Sequence, residues 1–132
     1  TMEAWCRFDA VIPYGSVVCF HTYDLQIMPS LSTTISVWVS DATLTVNAPI
    51  SIDTWYHFAL TKSSNTYTLY VDGESVGSVV DADNLTIGSV GQIGYNGASS
   101  YLDGQIPIIR LYDRALTASE VEQNYDAEEG RF

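Results

Sequence analysis

Residues 54–80, TWYHFALTKSSNTYTLYVDGESVGSVV, contain three strand-forming runs separated by two tight turns. Lys62–Asn65 is the first turn and Asp72-Gly73 is the second. Asp-Gly between two strands is typical of a two-residue hairpin turn with positive φ. The stretch therefore predicts a three-stranded antiparallel meander. Its strands cover residues 55–61, 66–71 and 74–80.

The middle strand of this meander has one strongly apolar face. Successive side chains of a strand point to opposite faces, so Tyr67, Leu69 and Val71 lie together. Thr68 and Tyr70 lie on the other side. We expect the first of these faces to line the core.

Further strand patterns occupy most of the remaining chain. Asp, Asn, Gly, Ser and Pro recur between them at short spacings, which is typical of an antiparallel sandwich or barrel. The patterns are MEAWCRF, SVVCFHTY, LQIMP, TISVWVS and ATLTVNA, then a short strand at Leu85–Gly88 and a last strand, QIPIIRLYD. The sequence therefore predicts an all-β domain.

One helix follows the last strand. In ALTASEVEQNY, Thr117 is the predicted N-cap, and Glu120 completes a capping box with it. Leu116 and Val121 have the spacing of a hydrophobic staple, and Val121 and Tyr125 form one apolar stripe. Because the helix is short, we expect it to dock on the sheet.

The end of the chain has two further features. Pro107 lacks a backbone donor, so we place it at the start of the last strand or on a sheet edge. Residues 126–132, DAEEGRF, are predicted to be an exposed tail.

The composition indicates one acidic domain. The chain has 132 residues, the usual size of a single domain, and a formal net charge of −11. Such a surface repels phosphate backbones and anionic membranes, which argues against nucleic-acid partners. The sequence shows neither an apolar run of the roughly 20 residues that a membrane span needs nor a signal peptide. Since it opens directly on a strand pattern, we expect it to be a segment of a longer polypeptide.

The two cysteines leave two alternatives open. If residues 3–9 and 16–22 form a hairpin, Cys6 and Cys19 face each other and could form a disulfide. The other interpretation is two free, partly buried thiols.

A family resemblance rests on several of these segments taken in order. MEAWCRFD, DTWYHFALTKSSNTYTLYVDGESVGS, LTIGS, YLDGQI and RLYDRALTASEVEQNY resemble the LamG-like (laminin G, pentraxin-like) domain of the concanavalin A-like lectin/glucanase superfamily. The resemblance covers residues 2–125. It implies one domain over residues 1–132: a β-sandwich (jelly roll) of two packed antiparallel sheets with a short C-terminal helix. Trp5 and Trp55 are then expected to supply core surface to the sandwich.

The chain departs from this family at the first strand. Relatives usually begin with a strand that lies beside the last one, and here it is absent or reduced to Thr1. Residues 108–112 are therefore expected to lack a neighbour, which is a liability at a sheet edge. A preceding part of the polypeptide or another subunit would fill that place.

A second departure concerns calcium. Some relatives carry two acids where this chain has Pro107 and Ile108, so the resemblance makes a calcium site there doubtful. Asp103 and Asp72 are weak metal candidates, since Asp103-Gly104 and Asp72-Gly73 also have a turn interpretation.

The sequence argues against catalysis. Glucanases of this fold need two carboxylates on one strand face, as in E-x-D-x-E, and this pattern is absent. His57 shares a strand face with Trp55 and Ala59 and could be a ligand or an acid/base residue, but no second His or paired carboxylate surrounds it. We interpret it as a histidine hydrogen-bonded within the sandwich. His21 is similarly isolated.

Two function classes remain. The first is a glycan-binding module, for which Tyr95, Asn96 and Tyr101, in and after a Gly-rich surface loop, are the candidate ligand-binding residues. Their alternative role is loop packing. The second is a structural or adhesion module that contacts neighbouring protein subunits or its own copies, as in phage decoration, fibre or tail proteins, whose LamG-like domains end much like QNYDAEEGRF. Both place the chain outside cells, on a cell surface or in a virion.

Overall fold

A computed structural model describes residues 1–10, 12, 15–20, 25–31, 34–39, 42–82, 91–96 and 100–132. Most of these residues lie in strands, and one short helix follows the last strand. The strands are β1 (Met2–Ala10), β2 (Val18–Phe20), β3 (Leu25–Leu31), β4 (Thr34–Val39), β5 (Ala42–Asn47), β6 (Trp55–Ser63), β7 (Thr66–Val71), β8 (Glu74–Val80), β9 (Gly91–Ile93) and β10 (Asp103–Leu111). The helix α1 covers Ala118–Asp126, and a 3₁₀ turn covers Glu129–Arg131. The strand predicted at Leu85–Gly88 lies outside the described residues.

The strands form two antiparallel sheets, as the sequence predicts. The first sheet has the order β10-β1-β6-β7-β8, and the second has the order β5-β4-β3-β2-β9. The predicted meander is β6-β7-β8 in the first sheet. One core cluster contains buried side chains from both sheets, including Phe8, Phe58, Ile27 and Ile35. This is the sandwich architecture that the family resemblance implies, whereas the strand patterns alone left a barrel open.

The two turns of the meander differ slightly from each other. Asp72 and Gly73 have φ values of 51° and 81°, which confirms the positive-φ hairpin. The first turn is tighter than predicted, because β6 continues to Ser63 and β7 begins at Thr66. Ser64 supplies a φ of 52° there.

The core face of β7 is confirmed. Tyr67 and Leu69 are fully buried between the sheets, and Val71 packs against them while partly exposed. The opposite face is also covered, because Tyr70 is buried in a second cluster. That cluster joins the outer face of the first sheet to the start of α1.

Helix α1 begins and docks as predicted. Thr117 is the N-cap, and the capping box with Glu120 is complete. Leu116 and Val121 are buried against Ala59 and Tyr70, so the staple residues attach the helix to the sheet. This contact supplies the tertiary support that a helix of nine residues requires.

The predicted exposed tail instead packs on the sheet. Glu128 is only 8% exposed. Phe132 stacks on Trp5, with ring centroids 4.7 Å apart. Trp5 therefore lies on the outer face of the first sheet, beneath the tail, and the expectation that it fills the space between the sheets is wrong. Trp55, half-buried and 4.8 Å from the Phe132 ring centroid, lies on that outer face too.

Pro107 lies in the middle of β10 rather than at its start. β1 pairs Trp5 with Ile108 and Arg7 with Gln105, so Ile106 and Pro107 together oppose one residue. A bulge on an edge strand is one of the few sheet positions that tolerate a missing backbone donor. The predicted strand start is therefore wrong, the alternative of a sheet edge is confirmed, and the bulge is not evident from the sequence.

In the described part of the chain, β10 pairs only with β1. Residues 108–111 are opposite Trp5 to Met2, and the N–H of Tyr112 donates to the Thr1 carbonyl at 2.8 Å. The other edge of β10 has no strand beside it among these residues. A partner for that edge stays a prediction.

The cysteines lie in different sheets. Cys6 is on β1, between β10 and β6, whereas Cys19 is on β2, between β3 and β9. The hairpin of residues 3–9 with 16–22 is therefore wrong, because the chain crosses to the second sheet after β1. Both thiols are free and buried, and burial raises the pKa of Cys6.

The close approach of β10 to β1 gives a first testable prediction. A Cβ at Gly104 would overlap the Arg7 carbonyl oxygen, a contact that forces the strands apart. Gly104→Ala should therefore lower the free energy of unfolding by about 2 kcal/mol in urea titrations. Gly130→Ala is the matched control, since a Cβ there meets no atom within 4 Å. Equal stabilities of the two variants would contradict this packing.

Candidate functional site

The structure brings two of the three predicted ligand-binding residues together. Tyr95 and Tyr101 form an isolated antiparallel bridge, and their rings stack with centroids 4.5 Å apart. The N–H of Leu102 donates to the Gly94 carbonyl at 2.8 Å and holds the two segments together. We call these two residues the tyrosine pair. Tyr101 is 67% exposed, so the pair offers an aromatic surface to solvent.

Asn96 is buried rather than exposed. Its exposed fraction is 5%, and its Oδ1 accepts a hydrogen bond from the Ser100 N–H at 2.9 Å. Its own N–H donates to the Ser100 carbonyl at 3.1 Å. The expected surface exposure is wrong, because the side chain bonds to the Ser100 backbone, as Asn often bonds to nearby backbone in turns.

A second candidate site, which the sequence did not indicate, lies on the outer face of the first sheet. Four aromatic residues and three carboxylates surround a cleft of about 330 Å³. We call it the aromatic cleft. Its lining residues are Trp5, Asp53, Thr54, Trp55, Asp72, Tyr125, Glu129 and Phe132.

The aromatic cleft is assembled from four segments. Trp5 comes from β1, Trp55 begins β6, Tyr125 lies on α1, and Phe132 follows the 3₁₀ turn. Tyr125 stacks on Trp5 with centroids 5.8 Å apart and an interplanar angle of 15°. The docked helix and tail therefore create the site.

The carboxylates give the cleft a negative rim. Asp72 accepts a hydrogen bond from the His57 backbone N–H at 2.8 Å, and burial raises the pKa of its carboxyl group. Burial also raises the pKa of Tyr125, with further contributions from the nearby Asp72 and Glu129 carboxylates. Asp53 and Glu129 are exposed. The site therefore combines aromatic surface with negative charge.

A buried polar cluster anchors the helix beside this cleft. Glu3 is fully buried, and its carboxylate accepts hydrogen bonds from Tyr112 Oη at 2.8 Å and from Asn124 Nδ2 at 3.1 Å. His57 Nε2 lies 3.8 Å from the Glu3 carboxylate. We call Glu3, His57, Tyr112 and Asn124 the Glu3 cluster. It joins β1, β6 and the end of β10 to α1.

His57 differs from its predicted role in two ways. It lies under Trp5 and Tyr125 on the outer face of the sheet, not between the sheets. Neither ring nitrogen has a hydrogen-bond partner among the described residues. Burial lowers the pKa of this histidine, against the opposing effect of the Glu3 carboxylate. His21 lies outside the described residues.

The two metal candidates lie apart in the fold. Asp72 is in the β7–β8 turn, where its carboxylate accepts the hydrogen bond from the His57 backbone N–H. Asp103 begins β10 opposite Ala10, so the turn interpretation of Asp103-Gly104 is wrong. Across the described ranges, no group of three His, Cys, Asp or Glu residues is placed to hold a metal ion.

The fold and the comparisons define the class of protein. A laminin G family model, described as the concanavalin A-like lectin/glucanases superfamily, matches residues 1–122. The chain therefore belongs to this superfamily, and the LamG-like resemblance is confirmed. No curated protein sequence matches the chain significantly.

Solved structures share the fold at low sequence identity. The Ruminococcus gnavus IT-sialidase CBM40, solved with α2,3-sialyllactose, is 14% identical with a TM-score of 0.75 over 94% of this chain and 80% of that one. Domain 4 of a Geobacillus stearothermophilus GH43 arabinanase, solved with arabinotriose, is 17% identical with a TM-score of 0.75 over 92% and 64%. A Trypanosoma rangeli sialidase is 20% identical with a TM-score of 0.78 over 97% and 22%. The chain thus spans less than two thirds of the length of the last two.

Proposed function

We propose that this chain is a non-catalytic glycan-binding module of a larger extracellular protein. The observation that carries the proposal is the tyrosine pair, whose stacked rings present Tyr101 at 67% exposure. Aromatic rings of this kind pack on the apolar faces of sugar rings, and the phenol oxygens add hydrogen-bonding capacity. Two structures of the same fold were solved with sugars bound, which supports the proposal.

We propose a role for each residue of the site. Tyr101 would stack on the sugar, Tyr95 would hold the Tyr101 ring in place from its other face, and Asn96 would fix the position of Ser100, next to Tyr101. Asn96 is thus a positioning residue.

Among the described residues, no helix has the length and apolar character that crossing a membrane requires.

The proposal is tested by a glycan array probed with the purified domain, with and without calcium. We expect binding to a restricted set of glycans. Binding that persists without calcium would agree with the prediction that a calcium site at Pro107 and Ile108 is doubtful. If the domain binds no glycan in either condition, the proposal fails.

A second function, an interaction module within a surface or virion assembly, is favoured by one observation. The outer edge of β10 has no strand beside it in the described part of the chain, and such an edge can pair with another chain. Light scattering of the full polypeptide would test it. In a variant, one of residues 108–111 is replaced by lysine. An assembly that persists in this variant would contradict pairing at this edge.

A further inference from the structure

We propose that the aromatic cleft binds a small organic ammonium ion, at a site separate from the tyrosine pair. The cleft holds about 330 Å³, which is at the lower end of the range for small-molecule sites. Its walls are aromatic rings and its rim carries three carboxylates. This combination is the one that recognises alkylammonium groups.

The charge of the cleft is not neutralised by nearby basic side chains. Arg7 pairs with Asp9 at 2.8 Å, and Arg131 contacts Glu128 at 3.4 Å. Arg110 also binds Glu128. In the described ranges, no basic side chain forms an ion pair with Asp53, Asp72 or Glu129, so these three carboxylates are available to a cation.

The rings around the cleft already attract cations. The Arg7 guanidinium carbon lies 5.7 Å from the Trp55 ring centroid, and that of Arg131 lies 5.8 Å from the Phe132 centroid. Both distances are within the range of a cation–π contact. Both guanidinium groups are paired with acids outside the cleft, so an external cation would use the remaining aromatic surface and the three carboxylates of the cleft.

An organic cation fits the cleft better than a metal ion does. The carboxylates surround a wide space, and the described residues contain no set of three His, Cys, Asp or Glu positioned to hold one metal ion. Calcium requires six to eight oxygen ligands at short distances. An alkylammonium ion instead needs only aromatic contact and diffuse negative charge.

The experiment is a calorimetric titration of the purified domain with tetramethylammonium chloride, paired with tryptophan fluorescence. Neopentyl alcohol is the neutral control of similar shape, and sodium chloride is the control for ionic strength. We expect saturable binding of the ammonium ion that is at least about tenfold tighter than that of the alcohol. Equal binding of the two, or no saturable binding of the ammonium ion, would overturn the proposal.

Two charge-neutralising variants locate the site. Asp53→Asn and Glu129→Gln keep the side-chain shapes, and each should weaken ammonium binding by about threefold or more. Glu122→Gln, which removes an exposed acid of α1 outside the cleft, should leave binding unchanged. If all three variants bind equally well, the ion binds elsewhere and the assignment is wrong. Far-UV circular dichroism and thermal melting confirm that each variant is folded.

Discussion

Glu3→Ala should lower the free energy of unfolding by about 3 kcal/mol, the largest effect that we expect of a single substitution. The carboxylate of Glu3 is fully buried and accepts hydrogen bonds from Tyr112 and Asn124. Removing it leaves the Tyr112 hydroxyl without its acceptor and leaves Asn124 Nδ2 only the longer bond to Tyr112 Oη at 3.3 Å, and it opens a cavity under α1. Urea titration followed by circular dichroism measures the change.

A conservative variant separates hydrogen bonding from packing. Glu3→Gln keeps one carbonyl oxygen and most of the volume, so it should cost about half as much as Glu3→Ala. Glu122→Ala is the surface control, because Glu122 is an exposed acid on α1, the helix that Glu3 anchors. It should change stability by less than about 0.5 kcal/mol. An equally small effect of Glu3→Ala would show that the cluster does not anchor the helix.

Glu128→Ala should destabilise the fold by about 2 to 3 kcal/mol and release the tail from the sheet. The Glu128 carboxylate accepts hydrogen bonds from Trp5 Nε1 and Arg110 Nη1, both at 2.9 Å. The bond to Arg110 is also the main cause of the lowered pKa of Glu128. Without the carboxylate, the indole N–H loses its partner and Arg110 loses its counter-ion.

The release of the tail has a spectroscopic signature. Trp5 is covered by Phe132 and Tyr125, so its exposure to water should shift tryptophan emission to longer wavelengths. Asp126→Ala, an exposed acid at the end of α1, should cause neither this shift nor a loss of stability above about 0.5 kcal/mol. An unshifted spectrum for Glu128→Ala would contradict the docked tail.

The sequence predicts those parts of the fold whose signals are local. The Asp72-Gly73 turn, the alternation of Tyr67 and Leu69, and the Thr117–Glu120 capping box each depend on residues a few positions apart. The structure confirms all three. The family resemblance implies two packed antiparallel sheets, an arrangement that local patterns do not determine.

The first strand shows why sequence alone misses the helix-covered face. Met2 to Cys6 are all buried, because one face of β1 packs between the sheets and the other lies under α1 and the tail. Alternation cannot reveal which face is which when both are covered. The sequence therefore predicts Trp5 on the wrong face of the sheet, and no local pattern indicates that Glu3 is a buried acid.

The candidate sites were predictable to different degrees. The tyrosine pair follows from aromatic residues at both ends of a Gly-rich segment, whereas the burial of Asn96 depends on a hydrogen bond that only the loop geometry shows. The aromatic cleft draws Trp5 and Phe132 from opposite ends of the chain. The only sequence signal for the aromatic cleft is the presence of Tyr125 in the helix and Phe132 in the tail, two segments whose other residues are mostly polar.

The proposed glycan function is tested most directly by one calorimetric comparison. The best glycan from the array is titrated into the unmodified domain and into Tyr101→Ala and Tyr101→Phe. We expect the affinity to fall by about tenfold or more for Tyr101→Ala and to change by less than threefold for Tyr101→Phe, which keeps the stacked ring. Equal affinities of Tyr101→Ala and the unmodified domain would contradict a glycan site at the tyrosine pair.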